Sequence, residues 1–417
     1  MVKRYIFHVD ANSAYLSWEA VYRLQHGDSL DLRTVPSVVG GDPATRHGIV
    51  LTKSIPAKKF KIHTGETLYS ALQKCPELII VRPHYGLYRQ CSDAMVEILK
   101  EYSPHIQRFS VDECFMDFSG MELLANDPVK TACDLKDRVK NELGFTVNVG
   151  VSTNKLLAKM AGDLKKPDMV HTLFPKEIPL KMWPLPIEEL FMVGRATSKK
   201  LRSRGITTIG DLANYDLKYL KPFLKSHGVL IWNYANGIEY SPVQTGGTIK
   251  VKGMGNSTTI PFDVADQHNA HLVLLSLAES VSARLRQAKV LARLVSVSFR
   301  TNEFYGCSHQ RKLYNPTDCT DEIWDIACEL FDELWQAQPL RHMGLRVSEL
   351  CQNDFVQTSL FGKNYEKQSK VDQAVDLIRA KYGSSAIYRS AFLHSGLHSI
   401  TGGVIENEDY PMMSSLL

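Results

Sequence analysis

The spacing of apolar and polar residues changes along the chain, and each change marks an element. KRYIFHV (3–9) reads as a short strand that Asp10 ends. Asn12 or Ser13 can cap the helix that follows, whose inner positions are Ala14, Leu16, Trp18, Ala20, Val21 and Leu24. VPSVVGG (35–41) and GIVLTKS (48–54) form two strands joined through a Gly-Gly turn. TLYSALQKC (67–75) is a helix that stops before Pro76, and ELIIVRPHY (77–85) starts as a strand. LYRQCSDAMVEILKEYS (87–103) has helical spacing and ends before Pro104. HIQRFSVDECFMDFS is β-rich. A helix (135–144), a strong strand FTVNVGVS (145–152) and a short basic helix NKLLAKMAGDLKKP (154–167) follow. This order predicts an α+β core with a small subdomain inserted at about 27–78.

A second unit, about 172–240, is helical throughout, with Gly194 and Gly205 at its turns and basic residues between them. After the breaker-rich SPVQTGG (241–247), a third unit at about 248–350 alternates strands with two long helices. The stretch 351–417 is polar and irregular, with one amphipathic helix, VDQAVDLIRAKYG (371–383).

Composition narrows the class. The 417 residues suffice for two to four domains, and 44% hydrophobic with 23% charged residues is an ordinary globular balance. No apolar run is long enough to span a bilayer, and His8, Asp10 and Asn12 break the N-terminal run, so neither a membrane protein nor a signal peptide is expected. None of the eight cysteines forms a C-x-x-C pair, which disfavours zinc and fits reduced thiols in a cytoplasm. A net charge of +4 does not by itself announce nucleic acid.

FSVDECFMDF (109–118) sets Asp112 beside Glu113 in an otherwise apolar strand. Two buried carboxylates cost several kcal/mol unless something pairs with them. Consecutive strand residues face opposite ways, so these two converge only at a turn or bulge. If the strand ending in Asp10 is its neighbour, three carboxylates meet at one sheet edge and need cations. Oxygen ligands without His or Cys suit Mg²⁺, and the chemistry permitted is two-metal phosphoryl transfer. The alternative is that Asp112 caps a turn and Glu113 pairs with a surface base.

FHVDANSAYLSWE, GIVLTKSIPAKKFKIHTGETLYSA, FSVDECFMDFSG and VNVGVSTNKLLAKMAGDLKKP stand in an order and spacing that resembles the Y-family translesion DNA polymerases of the UmuC/DinB type, from residue 3 to about 350. The resemblance implies an α+β right-hand polymerase: a ferredoxin-like palm (1–26 and 79–171), small fingers (27–78), a helical thumb with a helix-hairpin-helix (172–240), an α/β little finger (248–350) and a tail (351–417). It implies Asp10, Asp112 and Glu113 as catalytic, metal-binding carboxylates, with the Ala11 carbonyl as a main-chain ligand, for two Mg²⁺ ions. Tyr15 matches the steric gate against a ribose 2′-OH; the alternative is a core helix residue. Asn12, Ser13, Ala14 and Tyr15 at the helix N-terminus, with Thr52, Lys58 and Lys159, match the triphosphate site. Lysines at such positions are otherwise solvated charges. The sequence departs from the family at Ile55-Pro56-Ala57-Lys58, where a tyrosine and an Ala-Arg pair are usual, so a phenol is missing and a lysine replaces a guanidinium.

Arg195, Lys199, Lys200, Arg202 and Arg204 cluster on the thumb, and Lys250, Lys252, Arg300, Arg311, Lys312 and Arg346 lie on little-finger strands with acids on the helix 318–333 behind them. Both sets suit phosphate contacts without sequence reading, although a plain charged helix face is the alternative for the thumb. Small fingers imply an open site, which by the resemblance means low fidelity and tolerance of damaged templates, and no exonuclease-like acidic set is apparent. Gln357-Thr-Ser-Leu-Phe361, with Gln357, Ser359, Leu360 and Phe361 as anchors, is similar to the bacterial sliding-clamp motif; a loop packing its own Leu-Phe is the alternative. The expected molecule is a cytoplasmic, monomeric polymerase using primer-template DNA, dNTPs and a clamp. A catalytically weak DNA- and clamp-binding scaffold is the alternative, and a nucleotide cyclase is disfavoured by the thumb and little finger.

Overall fold

The computed structural model describes residues 4–121, 127–245, 251–352, 366–397 and 399. The chain divides into two compact units: residues 1–39, 52–62 and 74–249 form one, and 40–51, 63–73 and 250–417 the other. The segment expected as one inserted subdomain is thus shared between them, because 40–51 and 63–73 associate with the C-terminal unit.

In the first unit the strands are β1 (Ile6–Ala11), β2 (Ser37–Gly40), β3 (Val50–Lys53), β4 (Ile79–Val81), β5 (Ile106–Arg108), β6 (Glu113–Asp117), β7 (Val147–Ser152) and β8 (Val170–Thr172), the second and third reaching into the other unit. Five of them make one sheet in the order β5-β6-β1-β7-β8. Every residue of β1 and β7 is buried, which requires cover on both faces. The helix Pro128–Leu143 packs on β7 and β8, and the helix Lys155–Asp163 packs on β1, β7 and β8. The latter comes close because β7 carries Gly150: a Cβ there would lie 1.9 Å from the Ala158 carbonyl oxygen and 2.4 Å from the Gly162 nitrogen. The outer side of Lys155–Asp163, with Leu156, Leu157 and Met160, shares a core with Ile178, Met182, Leu201, Ile209 and Ile231 of the helical region. That helix is therefore held from two sides.

The second unit carries β9 (Gly253–Val264), β10 (Val290–Thr301), β11 (Gly306–Thr317) and β12 (Leu340–Ser348) as a sheet in the order β11-β10-β12-β9, with β13 (Cys351–Gln352) paired to β10. Strand alternation sends Val295, Val297, Phe299, Met343, Leu345 and Val347 into a core with Leu274, Leu277, Ile323 and Phe331 of the helices Gln267–Gln287 and Thr320–Asp332. Ser296, Ser298, Arg300 and Arg346 take the other face.

The tail helix, expected to be amphipathic, runs Glu366–Tyr382 and is inverted. Its buried residues are Asp372 and Arg379, while Leu377 is 74% exposed and Val371 and Ile378 also face solvent. Charges from the helix Gln267–Gln287 decide this orientation. Arg286 bonds Asp376 at 2.5 Å and Asp372 at 3.2 Å, and Glu279 receives Arg379 and Arg389, each at 2.5 Å. Two charges already inside the unit need partners, and the tail supplies them.

Candidate active site

Antiparallel pairing of β1 with β6 sets Asp10 opposite Glu113, and pairing with β7 sets Asp10 opposite Asn148. Residues two apart share a face, so His8, Phe115 and Gly150 line the same side, under the helix Lys155–Asp163. Asp112 precedes β6 in a tight turn in which the Phe109 and Ser110 amides both donate to the Glu113 carbonyl, at 2.9 and 3.1 Å. The Ala11 amide donates to the Asp112 carbonyl at 2.9 Å. The turn removes the strand alternation that would have sent the two neighbouring acids apart.

Each carboxylate has a different environment. Burial pushes Asp10 above the usual carboxylate range and Glu113 adds to this, while Lys166 and His8 act against it. Burial likewise raises Asp112, with Asp10 and Glu113 contributing; the Ser110 hydroxyl opposes this by donating to Asp112 Oδ1 at 2.5 Å. Burial would also raise Glu113, but His8 and Lys159 outweigh it and hold the group at about 2. Lys159 Nζ donates to both Glu113 oxygens, at 2.8 and 2.7 Å, and lies 5.5 Å from the Phe109 ring centroid and 5.8 Å from that of Phe191. His8 is fully buried with Nε2 3.4 Å from Glu113, and its Nδ1 has no hydrogen-bond partner.

Lys166 was not singled out by the sequence. Its ammonium bonds Asp10 and lies 2.8 Å from Asp163. Burial would lower its pKa, but the two carboxylates raise it instead. Asn148 places it: its amide donates to the Gly162 and Lys165 carbonyls at 2.9 and 2.7 Å and accepts from the Met169 amide at 3.2 Å. The only sequence signal is its place in NKLLAKMAGDLKKP, at the end of a short helix just before Pro167.

Among the described residues, no three His, Cys, Asp or Glu side chains converge as a ready metal cage. The donor set nonetheless fits a hard divalent cation. It is all oxygen, its like charges are crowded, and two ammonium groups occupy the carboxylates where such a cation would sit.

Tyr15 sits in the first turn of the helix Ala14–Gln25, its ring stacked on Tyr88 at 4.5 Å and 12° and edge-on to Tyr85 at 6.2 Å. Tyr88 is fully buried and donates to Glu19 at 3.3 Å. Asn12 bonds Thr146, and Ser13 adopts a left-handed backbone (φ 50°) without capping the helix through its side chain. Ala14 is buried behind it. Thr52 ends up near the close of β3, and Lys58 is exposed on the helix Ile55–Lys59, whose first turn Ser54 caps by accepting from the Ala57 amide.

The thumb residues Arg195, Lys199, Lys200 and Arg202 lie on the exposed side of the helix Arg195–Arg202, and Arg202 is committed to Glu188 at 2.5 and 2.7 Å. Arg300 and Arg346 are exposed on the outer sheet face. Arg311 is a correction to the expected basic face: it lies opposite the buried Val295, on the helix side, and bonds Glu329 and Glu333 at 2.5 Å each. Lys252 is exposed just before β9. Lys250 and the clamp-like Gln357, Ser359, Leu360 and Phe361 lie outside the described residues.

A carboxylate-bearing, mostly antiparallel sheet with a helical region, and an α/β unit, make the frame of a polymerase palm with thumb and little finger, and solved structures share it. A Y-family DNA polymerase chimera built on Dbh matches with a TM-score of 0.70 at 20% identity, covering 84% of this chain and 100% of the other. DinB from Sulfolobus solfataricus matches with a TM-score of 0.55 at 20% identity, over 84% and 100%. The impB/mucB/samB family matches residues 9–163 and its C-terminal domain matches 251–360. DNA polymerase IV of Clostridium acetobutylicum is 46% identical over 94% of this chain and 99% of its own, and DNA polymerase IV 2 of Bacillus subtilis is 35% identical over 94% and 95%. The chain belongs to the impB/mucB/samB family, the Y-family DNA polymerases of the DinB/UmuC type. It is a DNA-directed DNA polymerase of the translesion class, acting on primer-template DNA and dNTPs; the scaffold alternative is not favoured. Enzymes of this family depend on divalent metal. No helix among the described residues is long and apolar enough to cross a membrane.

Proposed function

We propose that Asp10, Asp112, Glu113 and the Ala11 carbonyl hold two Mg²⁺ ions for primer extension. The observation carrying this reading is the register that sets Asp10 opposite Glu113, with Asp112 in the adjoining turn. Bound there, the metal would lower the pKa of the primer 3′-hydroxyl and stabilise charge on the triphosphate. The protein's own part is positioning. Ser110 orients Asp112, and His8 and Lys159 keep Glu113 ionised. The first turn of the helix Ala14–Gln25, with Asn12, Ser13, Thr52, Lys58 and Lys159, receives the triphosphate. Lys159 leaves Glu113 for phosphate oxygens when nucleotide and metal enter. Tyr15, braced by Tyr88, excludes the 2′-OH of a ribonucleotide.

The thumb helix and the outer little-finger face hold duplex phosphates without reading sequence, and synthesis proceeds without proofreading. Gln357–Phe361 docks a monomeric enzyme on the sliding clamp. Deleting 357–361 then removes clamp stimulation and spares basal extension. A cytoplasmic setting belongs to the same reading, since dNTPs and chromosomal DNA are found there. Primer extension with the wild type and Asp112→Ala tests the centre. The wild type extends and the variant does not; equal extension by both would remove Asp112 from the chemistry.

A further inference from the structure

The tail helix Glu366–Tyr382 divides its chemistry between two faces. Inward, Asp372 and Asp376 answer Arg286, and Arg379 answers Glu279. Asp372 and Arg379 stand two turns apart, as do Glu279 and Arg286 on the facing helix, so the pairs fix an antiparallel register. Both acids between residues 367 and 382 are used inside, and the outward arc is left without one. There Val371, Ala374, Ile378 and Tyr382 follow one another at steps of three and four, with Leu377 beside them. Leu377 is 74%, Tyr382 66% and Val371 53% exposed. Lys367 and Lys381 are exposed along the same arc. A surface helix ordinarily turns its apolar side to the core; here the core is ionic, so cover for the apolar side has to come from elsewhere.

The sequence that follows the described residues has the complementary chemistry. Residues 400–417, ITGGVIENEDYPMMSSLL, carry Glu406, Glu408 and Asp409, no basic residue, and apolar positions on both sides of the acids. The chain is already folded back on the helix before it reaches them: Arg379 Nε donates to the Ile387 carbonyl at 3.1 Å, and Leu397 packs on the core of the same unit. We propose that residues 404–417 seat on the outward arc of the tail helix of the same molecule. Their apolar side chains cover Val371, Leu377, Ile378 and Tyr382, and their acids meet Lys367 and Lys381. The arc from Val371 to Tyr382 is about 16 Å long, well within reach of such a segment. An arc of lysines without an acid disfavours a basic occupant, and its apolar stripe is of no use to a phosphate backbone. A second copy carries the same segment, but a short tether holds the chain's own at an effective concentration on the order of millimolar. A partner protein that uses this arc must first displace the chain's own residues.

The test is hydrogen–deuterium exchange on the full chain at low salt, with two variants beside the wild type. Leu377→Ser, Ile378→Ser strips the arc, and Glu406→Lys, Glu408→Lys, Asp409→Lys reverses the charge of the segment. Amides of 404–417 should exchange about tenfold more slowly in the wild type than in either variant. Primer extension by both variants should equal that of the wild type. Wild-type exchange at the rate of an unfolded chain overturns the proposal, and so does protection that either variant retains. Protection seen only at protein concentrations where light scattering gives a dimer mass assigns the segment to a second copy and overturns the seat within one molecule. Should the first variant not fold, the second decides alone, since it changes none of the described residues.

Discussion

Ile55 is 47% exposed at the first position of the helix Ile55–Lys59, where the family resemblance implies a phenol. An exposed isoleucine contributes little to a core, and Lys58 offers a point charge where a guanidinium would fork. The double variant Ile55→Tyr, Lys58→Arg should lower the KM for a matched dNTP with kcat little changed; an unaltered KM would show that the departure is neutral. At this scale the acids were legible in the sequence because a carboxylate in an apolar strand is expensive, and few explanations cover that cost. His8, Asn148 and Lys166 were not. A histidine in a strand, an asparagine in a strand and a lysine before a proline are each ordinary. Their roles come from partners far along the chain: Glu113 for His8, and Asp10, 156 positions away, for Lys166.

Elements add constraints that no single residue carries. The helix Lys155–Asp163 delivers Lys159 and leads to Lys166, and its distance from the sheet is set by Gly150. A methyl group there would overlap the Ala158 carbonyl, so Gly150→Ala should cost about 1–3 kcal/mol by overpacking, with primer extension falling as the two lysines shift. Thermal melting and kcat together check this; a variant as stable and active as the wild type would mean the helix gives way freely. The tail helix makes a second case. Removing one partner of a buried ion pair leaves the other charge stranded, at about 3–5 kcal/mol. Glu279→Ala strands Arg379, and partly Arg389, and should lower the melting temperature accordingly. A change near zero would mean solvent reaches the network. Element positions from apolar spacing agree with most strands and helices, but the helix Pro128–Leu143 starts well before the expected 135, and the helix Ile55–Lys59 and the strand Val170–Thr172 were not read. The inverted face of Glu366–Tyr382 escaped, because spacing locates a helix's apolar side and cannot say that an ionic interior awaits the other one.

For the molecule as a whole, binding to a nucleic acid backbone is a matter of how many cations are free to meet phosphate. A net charge of +4 on 417 residues is no guide, since ion pairing removes Arg202 and Arg311 from the available set while leaving Arg195, Lys199, Lys200, Arg300 and Arg346 exposed. DNA affinity should fall steeply with salt, by a slope of about 0.9 per phosphate neutralised. Lys199→Ala, Lys200→Ala should flatten that log–log slope by roughly one to two and weaken all duplex sequences alike. An affinity indifferent to salt would contradict the phosphate-gripping role of both surfaces.

The sequence by itself determined most of the element order and the strand and helix periods, and it singled out the three acids of the proposed centre, because these follow from local apolar spacing and from the cost of burying charge. Its ordered motifs also carried the family. Tertiary structure alone decided which cations answer those acids. Strand register put Asp10 opposite Glu113, Gly150 brought a helix close, and Asn148 fixed the loop that brings Lys166 to Asp10. Pairing of this kind depends on approach in space between residues distant in sequence, and no local pattern encodes it.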